Sequence, residues 1–244
     1  MSEQALPFDA RGGDRRRRIA ILQSNYVPWK GYFDLIDHVD EFVIMDDVQY
    51  TRRDWRNRNR IKTPHGTRWL TIPIMSKGRF EQRINQVEIA DPSWARSHWK
   101  AIESAYGRQP GFDVTAETLA PLYKRLSDHA LLSDSNCLLL RAVCDLLSIK
   151  TPLTSAAEYP HRESRNGRLL DICLAAGASE YVSGPAAKSY LDIDRFTDAG
   201  VAVSWFDYSG YREYPQPHGP FEHAVSIVDL LCCTGRDSRS YVKR

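Results

Sequence analysis

Apolar and polar positions along this chain fall into repeated strand-then-helix units. A short apolar run, Ile19–Leu22, leads into an aromatic, turn-rich loop that ends at Gly31. An amphipathic segment, Tyr32–His38, follows, and a second apolar run, Glu41–Met45, stops at Asp46-Asp47. The pattern predicts strand, loop, helix, strand. A crossover of this length returns the second strand parallel to the first. Residues Trp69–Ile74 and Ile84–Ile89 read as strands joined by the polar connection Met75–Arg83. A helix capped by Asp91 or Ser93 is expected through Tyr106, then helices over Thr115–Leu126 and Ala130–Ile149. The second half resumes the alternation: strands at Pro152–Ala156, Ser179–Val182 and Val201–Phe206, helices at Arg168–Ala176, Asp192–Ala199 and His223–Leu231. The expected fold is α/β, a mainly parallel sheet flanked by helices, with residues 93–150 as a helical insert or layer. No internal repeat or linker divides it, so one domain is expected over 17–235, between a flexible basic tail (1–16) and a polar tail (236–244).

Composition narrows the class. With 42% hydrophobic and 26% charged residues the chain reads as an ordinary soluble globular protein. No apolar run approaches the ~20 residues of a membrane span, and the stretch after the Arg15–Arg18 cluster is too short for a secretory signal. A cytoplasmic location is expected. That cluster could touch anionic lipid or nucleic acid, or simply be solvated. A net charge of +2 provides no global basic field that demands nucleic acid. The five cysteines match no zinc-ribbon spacing, and an odd number argues against a disulfide framework. Cys137 and Cys144, seven apart on one apolar side, read as core residues rather than nucleophiles.

Candidate chemistry gathers past the strand ends, where open α/β sheets place ligands. In the first loop Asn25, Tyr26, Trp29 and Lys30 could face an anion beside the N-terminus of the following helix. The alternative is that Tyr26 and Trp29 only pack the loop. Successive strand residues point to opposite faces, so one of Asp46 and Asp47 is expected at the site, as general base or holding a ribose or Mg²⁺. The other would be a turn residue. Gln49 and Tyr50 follow in the same mouth. Between Arg52 and Arg68 seven basic residues stand against the single acid Asp54. Trp55, Arg56, Asn57, Arg58 and Asn59 there combine planar guanidinium forks for phosphate with amides for sugar hydroxyls or base edges. A solvated basic loop is the plainer reading. Ser183 and Gly184 would let a ligand approach backbone, with Lys188 and Tyr190 behind them. Tyr214 and Gln216 lie in an aromatic stretch with His218. Of the seven histidines, His218 and His223 fall in a plausible site, His65 lies in the basic loop, and His38, His98, His129 and His161 read as surface or capping residues. No cluster has metal-ligand spacing, and G-x-G-x-x-G, P-loop, H-E-x-x-H and G-x-S-x-G motifs are absent.

Taken in order, ILQSNYVPWKGYFDLI, DDVQYTRRDWRNRNRIK, WLTIPI, EYVSGPAAKSYL and YPQ followed by SIVDLL resemble the WbqC-like protein family over about residues 18–235. Ser24 stands where that pattern has Pro, and Cys232-Cys233 where it has Phe-Asn. The resemblance implies work in surface-polysaccharide (O-antigen) or amino-sugar biosynthesis, with glycine or acyl transfer to a nucleotide-linked amino sugar.

The expected function is therefore an acyl or aminoacyl (glycyl) transferase on a nucleotide sugar. Asp47 or His218 would take the proton from the attacking amine, and Lys30, Arg56 and Arg58 would hold the phosphates. Backbone donors near Gly31 or Gly184 could stabilise an oxyanion. An acyl carrier protein or an aminoacyl-tRNA could be the donor, docked on the Arg52–Lys62 patch. Two alternatives stay open: a nucleotidyltransferase of HIGH-like layout, although the paired histidines of that signature are missing from Asn25–Tyr32, and a non-enzymatic module binding RNA or a glycan-assembly complex.

Overall fold

The computed structural model describes residues 16–162 and 165–243. Five parallel strands form the main sheet: β1 (Arg18–Leu22), β2 (Glu41–Ile44), β5 (Leu153–Ser155), β6 (Glu180–Ser183) and β7 (Ala202–Trp205), in the order β5-β2-β1-β6-β7. A separate antiparallel hairpin pairs β3 (Arg58–Thr63) with β4 (Gly66–Thr71). The α/β reading with a parallel sheet holds.

The period of two decides where each strand side chain goes. Ala20, Phe42 and Ile44 pack in the core on one face, against α1 (Lys30–His38), α2 (Trp94–Tyr106), α3 (Phe112–Leu126), α4 (Leu132–Leu146) and α7 (Ile227–Thr234). Ile19, Ile21, Val43 and Met45 pack in the second core, against α5 (Arg165–Ala175) and α6 (Ile193–Asp198). Both faces are covered, as an all-parallel sheet requires. The chain leaves β1 for β2 and β5, then returns through α5 to β6 on the other side of β1. Open α/β sheets place their ligands at such a reversal, here the carboxyl ends of β1 and β6.

Several boundaries differ from the sequence reading. Residues 84–89 are not a strand: Ile84–Gln86 is a 3-10 turn, closed by the Gln86 side chain accepting from the Arg83 backbone N–H at 2.9 Å. Ile84 and Val87, three apart, are both buried, the spacing of a 3-10 turn, whereas the apolar residues at 87 and 89 are two apart as in a strand. The fourth strand ends at Thr71, three residues earlier than expected, opposite Arg58, where its hairpin partner begins. The last helix starts at Ile227 rather than His223, because Ser226 caps it by accepting from Val228 N–H at 3.2 Å. Beyond it, Gly235–Tyr241 forms a 3-10 stretch whose Arg239 pairs with Asp37 and whose Tyr241 packs on Tyr214. Of the basic tail expected over 1–16, all but Arg16 lies outside the described residues.

Candidate functional site

A cleft of about 290 Å³ opens between the loop after β1 and the segment before α7, lined by Asn25, Pro28, Trp29, Trp55, Asn59, His223 and Ala224. Its floor is a strained turn. Val27 adopts φ 33°, a left-handed conformation that a β-branched residue rarely takes. Asn59 Nδ2 donates to the Val27 carbonyl at 2.9 Å and to that of Tyr26 at 3.1 Å, and Ser226 Oγ donates to Val27 O at 2.7 Å. Two backbone bonds complete the restraint, Tyr26 N–H to Trp55 O (3.0 Å) and Ile227 N–H to Pro28 O (2.9 Å). The β3 hairpin and the α7 cap thus hold the first loop in shape.

Tyr26 turns inward, away from any ligand. Its hydroxyl lies 2.8 Å from both His98 Nδ1 and the Tyr123 hydroxyl. Burial pushes the His98 pKa down to about 4, so the ring is neutral at pH 7. Trp29 lies against Tyr208 (5.5 Å between centroids) and Tyr211 (5.4 Å). Gly31 makes room for it, since a Cβ there would come within 2.3 Å of the indole.

Arg56 reaches across the mouth. It donates to Asn25 Oδ1 and, at 3.0 Å, to Gln23 Oε1, and pairs with Asp54 at 3.5 Å. Arg58 bonds the Arg53 carbonyl and covers the Trp69 ring at 4.4 Å. The Nε atoms of Arg56, Arg58 and Arg60 are buried and have no hydrogen-bond partner among the described residues.

The other sequence candidates sit elsewhere. Lys30, 4% exposed, donates to the Arg212 carbonyl at 2.8 Å inside a cage of Tyr211, Tyr214 and Phe221. Burial lowers its pKa to about 8, while Asp229, Asp34 and Glu213 pull the other way. Tyr214 and Gln216 bond the fully buried Asp229 at 2.6 and 2.8 Å, and Lys62 donates to Gln216 Oε1 at 2.8 Å. This network fastens the 208–221 stretch to β3 and α7. Asp46 accepts from Ser24 N–H (2.8 Å), from Ser24 Oγ (2.6 Å) and from Ser133 Oγ, so its carboxylate joins β1 to α4. Asp47 lies 2.7 Å from His161 Nε2 and 3.9 Å from Arg168, and its Oδ1 is buried without a partner among the described residues. Lys30, Asp47 and Arg58 therefore do not converge on one cleft.

Asn57 joins Tyr50 (2.9 Å) to the Ile72 carbonyl (2.9 Å), and Gln49 donates to Phe80 O at 3.1 Å. Ser183 donates to the Tyr181 hydroxyl at 3.3 Å, Gly184 lies beside Tyr208, and Lys188 sits over Trp205 at 5.6 Å. Tyr190 is exposed. His218 is exposed on a turn at φ 65°. Burial pushes the thiols of Cys137 and Cys144 up to about 11 and 12, which suits core residues. The histidine against Asp47 was read from sequence as surface or capping, and no local signal marks it, because its partner is 114 positions away. Pro28, Ala224, Ser133 and Asn136 were likewise not singled out. Among the described residues no group of three or more His, Cys, Asp or Glu could hold a metal ion. None of the helices described is long and apolar enough to cross a membrane.

Fold and cleft together define a doubly wound α/β protein with a candidate cleft beside the loop that follows β1. Residues 23–241 match the model of the WbqC-like protein family, and the chain belongs to that family. It is 48% identical over 227 residues to the uncharacterized protein Rv1507c of Mycobacterium tuberculosis, covering 93% of this chain and 98% of that one. No solved structure matches the chain.

Proposed function

We propose that the protein is a transferase that acylates or aminoacylates a nucleotide-linked amino sugar in glycan biosynthesis. One observation carries the reading. An aromatic-walled cleft, with Trp29 and Trp55 as walls and Asn25 and His223 as polar groups, adjoins the guanidinium groups of Arg56, which bonds Asn25, and of Arg58, which covers Trp69 beside Trp55. Aromatic walls suit the apolar face of a sugar or base, and the guanidinium forks suit its phosphates. Membership of the WbqC-like family suggests the glycan pathway. In the transfer, the sugar amine attacks the acyl carbonyl, a C–N bond forms and the donor's leaving group departs. His223, exposed at the cleft, takes the amine proton. This role passes to His223 because Asp47 is occupied by His161 and His218 does not line the cleft.

The test is calorimetric titration with nucleotide-linked amino sugars, then incubation with acyl-CoA, acyl-carrier or aminoacyl-tRNA donors and mass analysis of the sugar. The expected result is a mass gain equal to the acyl group, falling about 10²–10⁴-fold in His223→Ala with sugar binding retained. If no nucleotide-linked sugar binds, the reading fails.

A further inference from the structure

Cleft and substrate do not match in size. At about 290 Å³ the cleft is at the small end of ligand pockets, ~300–1,000 Å³. It has room for a sugar ring, but a hexose, a diphosphate and a nucleoside together overfill it. The rest of the substrate must lie on an adjoining surface.

Building on the transferase reading, we propose that the Arg58–Arg60–Trp69 face of the β3–β4 hairpin is a separate nucleoside-diphosphate site, with the amino sugar in the cleft beside it. Antiparallel register sets Arg60 opposite Trp69 and Arg58 opposite Thr71, so these side chains share one face of the hairpin. Trp69 lies 5.4 Å from Trp55 with the ring planes at 36°, and Trp55 is itself a cleft wall. The hairpin face and the cleft are therefore continuous. Both indoles are large apolar groups left open, 42% and 43% exposed. The guanidinium carbons of Arg58 and Arg60 sit 4.4 and 5.6 Å from the Trp69 ring centre, a layered arrangement that a nucleobase can extend.

Charge supplies the second half of the argument. Arg58 and Arg60 alternate along β3, each half-buried with its guanidinium group against the Trp69 ring. Seven basic residues against one acid between Arg52 and Arg68 make the local field suit a diphosphate.

The experiment titrates the full-length chain with ADP, CDP, GDP and UDP by calorimetry, and in parallel with a nucleotide-linked amino sugar and a short single-stranded RNA. At least one nucleoside diphosphate should bind on its own. Trp69→Ala and Arg60→Gln should each weaken it roughly ten-fold, the scale of one lost stacking or charge-assisted contact. Trp69→Phe, which keeps a ring, should retain most of the affinity. Ala224→Trp, which fills the cleft, should leave the nucleoside diphosphate bound and exclude the nucleotide sugar. Unchanged nucleotide affinity in both hairpin variants, with loss in Ala224→Trp, puts the nucleotide in the cleft and overturns the inference, while the transferase reading stands. The same holds if the nucleotide sugar binds but no free diphosphate does. RNA binding tighter than every mononucleotide also overturns it, in favour of a polynucleotide surface. If nothing containing a nucleotide binds, the transferase reading falls as well.

Discussion

Asp46 and Asp47 are neighbours in the chain, yet their carboxylates bond to opposite sides of the sheet. Asp46 accepts from Ser24 and Ser133, toward the α4 side, whereas Asp47 faces His161 and Arg168, toward α5. Side-chain alternation past the end of β2 separates them.

Their replacement should have unequal consequences. Asp46 is 6% exposed and accepts three hydrogen bonds, so Asp46→Ala strands the buried Ser24 N–H and two hydroxyls. A loss of about 3 kcal/mol in urea unfolding is expected. Asp47→Ala removes the partner of one hydrogen bond, to His161, between side chains 12% and 13% exposed, and should cost less, about 1–2 kcal/mol. Equal losses would contradict these bonding patterns.

Acid should act through His98. Its folded pKa, about 4, lies below the ordinary 6.5, so as pH falls the unfolded chain takes up the proton first. Stability is therefore fully present above about 6.5 and falls as pH drops from there toward 4. The slope is at most about 1.4 kcal/mol per pH unit. Denaturation curves of the parent minus those of His98→Gln should isolate this limb, and a flat difference would show that the ring titrates normally.

Alkali should act through Lys30 in the opposite direction from a surface lysine pair. Burial lowers its folded pKa from 10.5 to about 8. Between those values the unfolded chain holds more protons, so stability from this group increases with pH. Below about 8 both states are charged and the burial cost is constant. The melting temperature of the parent, relative to Lys30→Met, should climb from pH 8 to about 10.5. A difference that declines over this range would mean that the aromatic cage favours the charged ammonium more than burial opposes it.

Gly31 should prove sensitive although it is helical. A methyl group there meets the Trp29 ring at 2.3 Å, so Gly31→Ala must move the indole that walls the cleft. We expect an altered near-ultraviolet circular dichroism signal and ligand binding weakened about ten-fold, with a stability change of about 1–3 kcal/mol. Unaltered spectra would indicate that the ring already has room.

Much of the architecture was legible because it follows from local rules. The continuous apolar runs of Ile19–Leu22 and Glu41–Met45, with a helix between, were enough for parallel strands. The opposed faces of Asp46 and Asp47 followed from the alternation of side chains along a strand. Residues 84–89 were misread because the spacing of Val87 and Ile89 matches a strand, while the buried pair Ile84 and Val87 has the three-residue spacing of a tight turn. At the site, Asn25, Trp29, Trp55 and Asn59 were singled out and do line the cleft, whereas Lys30 was drawn toward it only by sequence proximity.

Residue types and their spacing by themselves settled the class of fold, most of its strands and helices, and the chemistry each loop could offer, but not the strand over Arg58–Thr63 or the 3-10 turn over Ile84–Gln86. Only the tertiary structure decided which loops meet. His223 shares the cleft with Trp29, His161 reaches Asp47, and Lys30 is enclosed by Tyr211 and Tyr214, over separations of 194, 114 and 181 to 184 positions. Propensity and periodicity act over a turn or a strand. Contacts across such distances depend on how whole elements pack, which no short stretch of sequence encodes.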